Sequence, residues 1–223
     1  MQKPLKTFFQ LLKEIIYPSK CALCGQLGKD SICSVCFDAF SPLKKFIFRS
    51  HKGSPLDYWG SLYAYEGRAA QAIRKLKYSR ITSLAKPLSE LIVSGASQMD
   101  LLEVDAIVPI PIHWKRKFDR GFNQSELLCK QMPFSLVQPL LLKRTRATIP
   151  QVQLSHEARL HNLEGCFKAA QEVKGLSILL IDDVITSGGT ANESAKTLKL
   201  AGAKKVGILS FAGKGYQRKI NPL

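Results

Sequence analysis

The run Ile178-Leu179-Leu180-Ile181-Asp182-Asp183-Val184-Ile185-Thr186-Ser187-Gly188-Gly189-Thr190 restricts the folds open to this chain more than any other stretch. A short apolar, β-branched segment bounded by turn residues reads as a buried strand. It ends on two adjacent carboxylates and a hydroxyl- and glycine-rich loop. From residue 191 to 201 the period becomes helical, with Ala195, Leu198 and Ala201 on one face and Gly202 as a stop signal. Strand, acid pair, loop and helix together describe a phosphate site. Glycines admit a ligand to the backbone, hydroxyls donate to phosphate oxygens, and a helix N-terminus supplies unpaired N–H groups. Carboxylates repel phosphate but accept from a sugar diol or hold a cation such as Mg²⁺. A phosphorylated sugar satisfies both halves. No Walker loop and no G-x-G-x-x-G after a strand is present, which disfavours nucleoside triphosphate and dinucleotide folds.

The same residues resemble, without a gap, the phosphoribosyl-pyrophosphate (PRPP) motif of type I phosphoribosyltransferases. The resemblance assigns Asp182, Asp183, Val184, Thr186, Ser187, Gly188, Gly189 and Thr190 to PRPP. In an active enzyme Asp182 and Asp183 would act on the ribose hydroxyls, with Mg²⁺ accompanying PRPP.

At 223 residues and 45% hydrophobic, the chain accommodates one ordinary domain and a small appendage. No apolar stretch is long enough to span a bilayer. Residues 1–16 read as a basic amphipathic helix, with Phe8, Phe9, Leu12, Ile15 and Ile16 on one side, rather than as a signal peptide. A cytoplasmic location is therefore expected. The net charge of +16 attracts polyanions, nucleic acid first among them. Charge alone leaves a merely soluble basic surface equally open.

Cys21-Ala22-Leu23-Cys24 and Cys33-Ser34-Val35-Cys36 are two C-x-x-C pairs separated by eight residues. Each pair forms a knuckle presenting two thiolates, so Cys21, Cys24, Cys33 and Cys36 can close a tetrahedral structural Zn²⁺ site. Disulfides and a thioredoxin-type redox pair fit less well, since no secretion signal or βα context accompanies them. Cys129 and Cys166 read as core residues. Residues 41–57, rich in Pro, Gly, Lys and Arg, read as a basic linker, giving domains 1–55 and 56–223.

Residues 104–112 form a second apolar strand, followed by a basic, aromatic-interleaved segment, 113–124, read as a loop. By the phosphoribosyltransferase resemblance, Arg116, Lys117 and Arg120 would neutralise pyrophosphate there and Gly121 would allow close backbone approach; a solvated basic turn is the plainer alternative. Residues 142–154, with Arg159 beyond, stand where that class carries a flexible loop. Arg144, Arg146, Gln151 and Arg159 are its candidates for stabilising departing pyrophosphate, with a plain basic surface as the alternative.

Taken in order, the cysteine module, Pro109–His113, Arg120–Gln124, the set Arg146, Gln151, Leu154, Arg159 and Asn162, and Asp182–Thr190 resemble the ComF/ComFC family of competence proteins over nearly the whole chain. The resemblance implies a type I phosphoribosyltransferase-like α/β fold, a mostly parallel sheet flanked by helices, preceded by a small N-terminal zinc ribbon built on the four cysteines. It also implies a role in DNA uptake during natural transformation, handling single-stranded DNA beside a ComFA-type helicase. Lys44, Lys45, Lys115, Arg116, Lys117 and Phe122 are the candidate DNA contacts. Trp114, Phe118, Phe122 and Tyr78 are each either stacking residues or core.

The expected strands are about 58–65, 104–110, 177–183 and 205–211, and the helices 67–77, 84–98, 121–131 and 190–201. Three functions are compatible with these residues: a PRPP-binding protein that binds single-stranded DNA, an active phosphoribosyltransferase acting on a small base or amine, and a non-catalytic PRPP sensor. No segment announces an acceptor site.

Overall fold

Aliphatic residues in unbroken succession, as in Ile178–Ile181, suit a strand covered on both faces. In the structure, a computed structural model that describes residues 18–44, 47–50, 52–98, 104–147 and 163–214, they lie on an interior strand of a five-stranded sheet. The elements in chain order are α1 (Ser34–Asp38), β1 (Ile47–Arg49), β2 (Tyr58–Ala64), α2 (Gly67–Tyr78), α3 (Ala85–Ser97) and β3 (Ala106–Pro109). They continue as α4 (Trp114–Arg120), α5 (Gln124–Leu128), β4 (Leu142–Arg144), β5 (Phe167–Ala169), β6 (Ser177–Ile185), α6 (Gly189–Leu200) and β7 (Lys205–Gly213). The sheet order is β1-β2-β7-β6-β3, with every pair parallel except β1–β2. Strands β4 and β5 form a separate antiparallel pair.

Side-chain alternation divides β6 and β7 between two cores. Leu179, Ile181, Leu209 and Phe211 pack under α2, α3 and α5, whereas Ile178, Leu180, Val206 and Ile208 pack under α6. Pro109 is tolerated inside β3 because that strand is a sheet edge. Gly207 must be a glycine: its register partner Tyr58 lies across it, and a Cβ there would stand 2.0 Å from the ring. The cysteine segment shares the first core, contributing Cys21, Leu23, Ile32, Cys36 and Phe40. Phe40 meets Tyr63 and Phe211 edge-on at 5.3 and 5.7 Å. On α2, Lys75 Nζ donates to the carbonyls of Ala22 at 2.6 Å and Leu23 at 3.2 Å.

Three expectations are corrected. First, β6 runs on to Ile185, so the acid pair lies inside the strand, with Asp182 in register with Ser210. Second, the segment 113–124 is not a loop but contains α4, and the expected 121–131 helix contracts to α5. Gly121, at φ +86°, ends α4 in the left-handed region. Asn123 then caps α5, its side chain accepting from Ser125 N at 3.1 Å and donating to Ile110 O at 3.0 Å. Third, Arg144 belongs to strand β4 rather than to a loop. The predicted helix in 1–16, most of the 142–162 segment from residue 148 onward, and Lys45 lie outside the described residues. No helix among the described residues is long and apolar enough to cross a membrane.

Candidate functional site

Ligands of parallel α/β sheets sit beyond the carboxyl ends of the strands. A cavity of about 620 Å³ opens there. Asp182, Asp183 and Val184 come to it from β6, Thr190 from α6, Arg116, Asp119 and Arg120 from α4, and Arg144 from β4. Lys77 and Tyr78 at the end of α2, with Arg80 just beyond, complete the wall.

The carboxylates are held individually. Asp182 Oδ1 accepts from Ser125 Oγ at 3.1 Å and from its neighbour's backbone N–H at 2.8 Å. Asp183 is buried; its Oδ1 accepts from Gln124 Nε2 at 3.3 Å and its Oδ2 is ion-paired to Lys77 Nζ. Arg120 donates to Gln124 Oε1, and its guanidinium lies 5.7 Å from the centre of the Tyr78 ring. A chain of contacts therefore runs from the cavity's basic wall to its acidic floor.

Two negative groups side by side in restricted water cannot both ionise freely. Burial and then the charge of Asp183 push Asp182 up to about 8, against the pull of Lys77. Burial alone would lower Lys77, but the carboxylates outweigh it and Asp183 most of all, so its ammonium is held above the ordinary range. Burial lowers Arg120 and Arg144, whose guanidinium groups remain charged. The result is an acidic floor facing basic walls, an arrangement suited to an anion that brings its own cation.

Beside this cavity is a smaller hollow of about 30 Å³, lined by Asp182, Thr186, Ser187, Gly188, Gly189 and Thr190 at the start of α6. It combines hydroxyls with the free N–H groups of a twelve-residue helix, the donor set for a phosphate group.

The structure brings Asp182, Asp183, Val184, Thr190, Arg116, Arg120 and Arg144 to one cavity and Thr186–Gly189 to the hollow that adjoins it. Other candidates stand elsewhere. Lys117 pairs with Glu126 at 3.1 Å, and Arg146 donates to Glu164 O at 2.7 Å. Gly121 ends a helix, and Gln151 and Arg159 lie outside the described residues. Lys44 and Lys115 are exposed, while Phe122 is half-buried against the first core. Sequence reasoning assigned no role to Lys77, Arg80, Gln124 or Ser125. For Lys77 a signal existed: it continues the Ala69–Ile73 spacing, putting a lysine on the apolar stripe of α2.

The second cluster is the cysteine quartet. The four Sγ atoms all lie within 4.8 Å of one another, with Cys24 and Cys33 at 3.7 Å, and can hold a metal ion. A tetrahedral ion with metal–sulfur bonds of about 2.3 Å requires sulfur separations of roughly 3.8 Å, so the residues fit. The backbone N–H groups of Leu23 and Cys33 donate to Cys21 Sγ at 3.4 Å each, and Gly25 N closes the knuckle on Cys21 O at 2.9 Å. Among the thiols, burial and the neighbouring cysteines push Cys36 up to about 12. At Cys21 burial acts in the same sense, but hydrogen bonds from the knuckle overcome it and bring the thiol down to about 6.

Comparison with known proteins adds a lineage. A phosphoribosyl transferase domain model matches residues 140–220. The DNA utilization protein YhgH of Escherichia coli strain K12 is 33% identical over 216 residues, covering 86% of this chain and 95% of that protein. Competence protein F of Haemophilus influenzae is 29% identical, covering 83% and 92%. Among solved structures, the glutamine PRPP amidotransferase of B. subtilis complexed with ADP and GMP is 19% identical with a TM-score of 0.41. That match covers 62% of this chain and spans less than a third, 30%, of the larger one.

Proposed function

Because the chain belongs to the ComF/ComFC family of competence and DNA-utilization proteins, we propose that it binds PRPP in the cavity at the end of β6 and single-stranded DNA on its basic surface during DNA uptake. The observation that carries the PRPP reading is the juxtaposition of the Asp182–Asp183 floor, the arginines opposite, and the hydroxyl-lined hollow at α6.

Within this reading the 5′-phosphate takes the hollow of Thr186–Thr190, the ribose hydroxyls donate to Asp182 and Asp183, and Arg116 and Arg120 receive the pyrophosphate. Asp182 accepts from Ser125 and from the backbone of Asp183 through Oδ1, and its Oδ2 would serve a sugar hydroxyl or Mg²⁺. Asp182 and Asp183 would hold a Mg²⁺ arriving with PRPP, and the ion would supply positive charge beside the polyphosphate. Of the expected flexible-loop residues, Arg144 lines the cavity from β4 and assists with the pyrophosphate; Arg146, Gln151 and Arg159 are proposed for the same task on the sequence resemblance alone. The cysteine quartet holds a structural Zn²⁺, and a ComFA-type helicase is the partner. Calorimetric titration with Mg²⁺-PRPP tests the site: the parent binds, and the folded Asp182→Ala/Asp183→Ala variant does not. Equal binding by that variant refutes the assignment.

One observation favours phosphoribosyl transfer as well. Tyr78 is 74% exposed at the cavity wall beneath Arg120, offering an aromatic face to a planar acceptor. Pyrophosphate release that depends on a supplied base or amine distinguishes transfer from binding alone.

A further inference from the structure

Helix α4 is a wall with two faces. Arg116 and Arg120, four residues apart, line the cavity. Trp114 and Phe118, also four residues apart, fall roughly on the opposite side at 100° per residue, and stand 70% and 85% exposed. Side chains at this spacing are neighbours on a helix surface, so the two rings form one apolar strip. The exposed Lys115 and Lys117 flank it, and α4 carries Lys115, Arg116, Lys117 and Arg120 against a single acid, Asp119. Two large rings left in water within a cationic surface suit a ligand with flat apolar faces strung on an anionic backbone.

We propose that the outer face of α4, Trp114 and Phe118 flanked by Lys115 and Lys117, is a base-stacking platform for single-stranded nucleic acid. The proposal rests on the single-stranded DNA reading and gives that activity an address. Unpaired bases expose the π-faces that stacking needs, whereas a duplex conceals them. Glu126, paired with Lys117 at the edge of the strip, favours a narrow strand over a broad anionic lipid surface. One short helix thus presents phosphate-binding groups inward and base-binding groups outward.

Fluorescence anisotropy of the full chain with labelled oligothymidine, with a duplex of equal length, and across a salt series tests it. Trp114→Ala and Phe118→Ala each weaken single-strand binding by roughly 5- to 150-fold, the range for losing one stacked base. The salt slope stays unchanged, because no phosphate contact is removed. Trp114→Phe restores most of the affinity, and duplex binding barely moves. PRPP binding by the alanine variants reports an intact fold, since both rings are exposed. A measurement free of that concern uses Trp59→Phe, which leaves Trp114 as the chain's one tryptophan: oligothymidine quenches its fluorescence. Parent-like binding by the double alanine variant, or no quenching, overturns the platform while leaving the DNA reading in place. A parent that binds no single strand refutes the DNA reading itself. Loss of binding to phosphatidylglycerol vesicles without loss of oligothymidine binding also overturns the platform, and assigns the face to a membrane.

Discussion

Asp182→Asn removes one of two crowded carboxylates while keeping the side chain's shape, and the structure gives its effect a sign and a size. The folded state holds the Asp182 proton up to about 8, against an ordinary value of 3.8. Between those values the folded protein keeps a proton that the unfolded chain has lost, so stability falls as pH rises through this window and levels off above about 8. Carrying a carboxyl that far corresponds to an upper bound of roughly 6 kcal/mol. Asp182 is half-buried beside an open cavity, and water there screens the interaction. A working magnitude is about 2–3 kcal/mol, or roughly 5–10 °C in melting temperature for a chain of this size. The expected result is that ligand-free Asp182→Asn melts 5–10 °C above the parent at about pH 8 and converges with it near pH 4. On the proposed PRPP reading, Mg²⁺-PRPP should raise the parent's melting temperature and leave the variant's unchanged. Differential scanning fluorimetry across pH measures both. Parallel melting curves for parent and variant from about pH 5 to pH 9 would refute the claim that the pair is electrostatically strained.

Other outcomes follow from single contacts. Lys77→Met leaves buried Asp183 without its ammonium and should cost about 3–5 kcal/mol; chemical denaturation of parent and variant checks this. Gly207→Ala drives a Cβ into the Tyr58 ring and should destabilise by about 1–3 kcal/mol, an amount that Gly207→Ala with Tyr58→Ala lessens in a double-mutant cycle. Cys21→Ser removes the thiol that accepts both knuckle N–H groups, so bound zinc measured by elemental analysis should fall well below one ion per chain.

The parts of the molecule that were legible from sequence are those where local pattern and final environment agree. The apolar runs of β6 and β7 and the apolar stripes of α2 and α3 are covered as their periods require, so both type and approximate extent follow from the residues. Helix α4 was missed because its pattern is inverted: Trp114 and Phe118 point to solvent and none of its residues is buried, so no stripe faces a core. The informative signals were instead His113, whose Nδ1 accepts from Lys115 N at 3.3 Å, and the left-handed stop at Gly121. The acid pair and the hydroxyl loop were legible because both lie in one continuous segment. The ion pair from Lys77 to Asp183 was not, since α2 and β6 are far apart in the chain and meet only once the sheet is assembled.

Helix α2 gives the cysteine module a mechanical bearing on the cavity. Lys75 and Gln71 grip the knuckle carbonyls of Ala22 and Leu23, and two residues past Lys75 the same helix delivers Lys77 to Asp183. Phe40 from the module also shields Phe211 and Tyr63. The module is therefore an abutment and not a detachable accessory. Disrupting the quartet, or starting the chain at residue 56, would free one end of the beam that positions the ammonium beside the acid pair, so the condition of four thiols is felt at a cavity they do not touch.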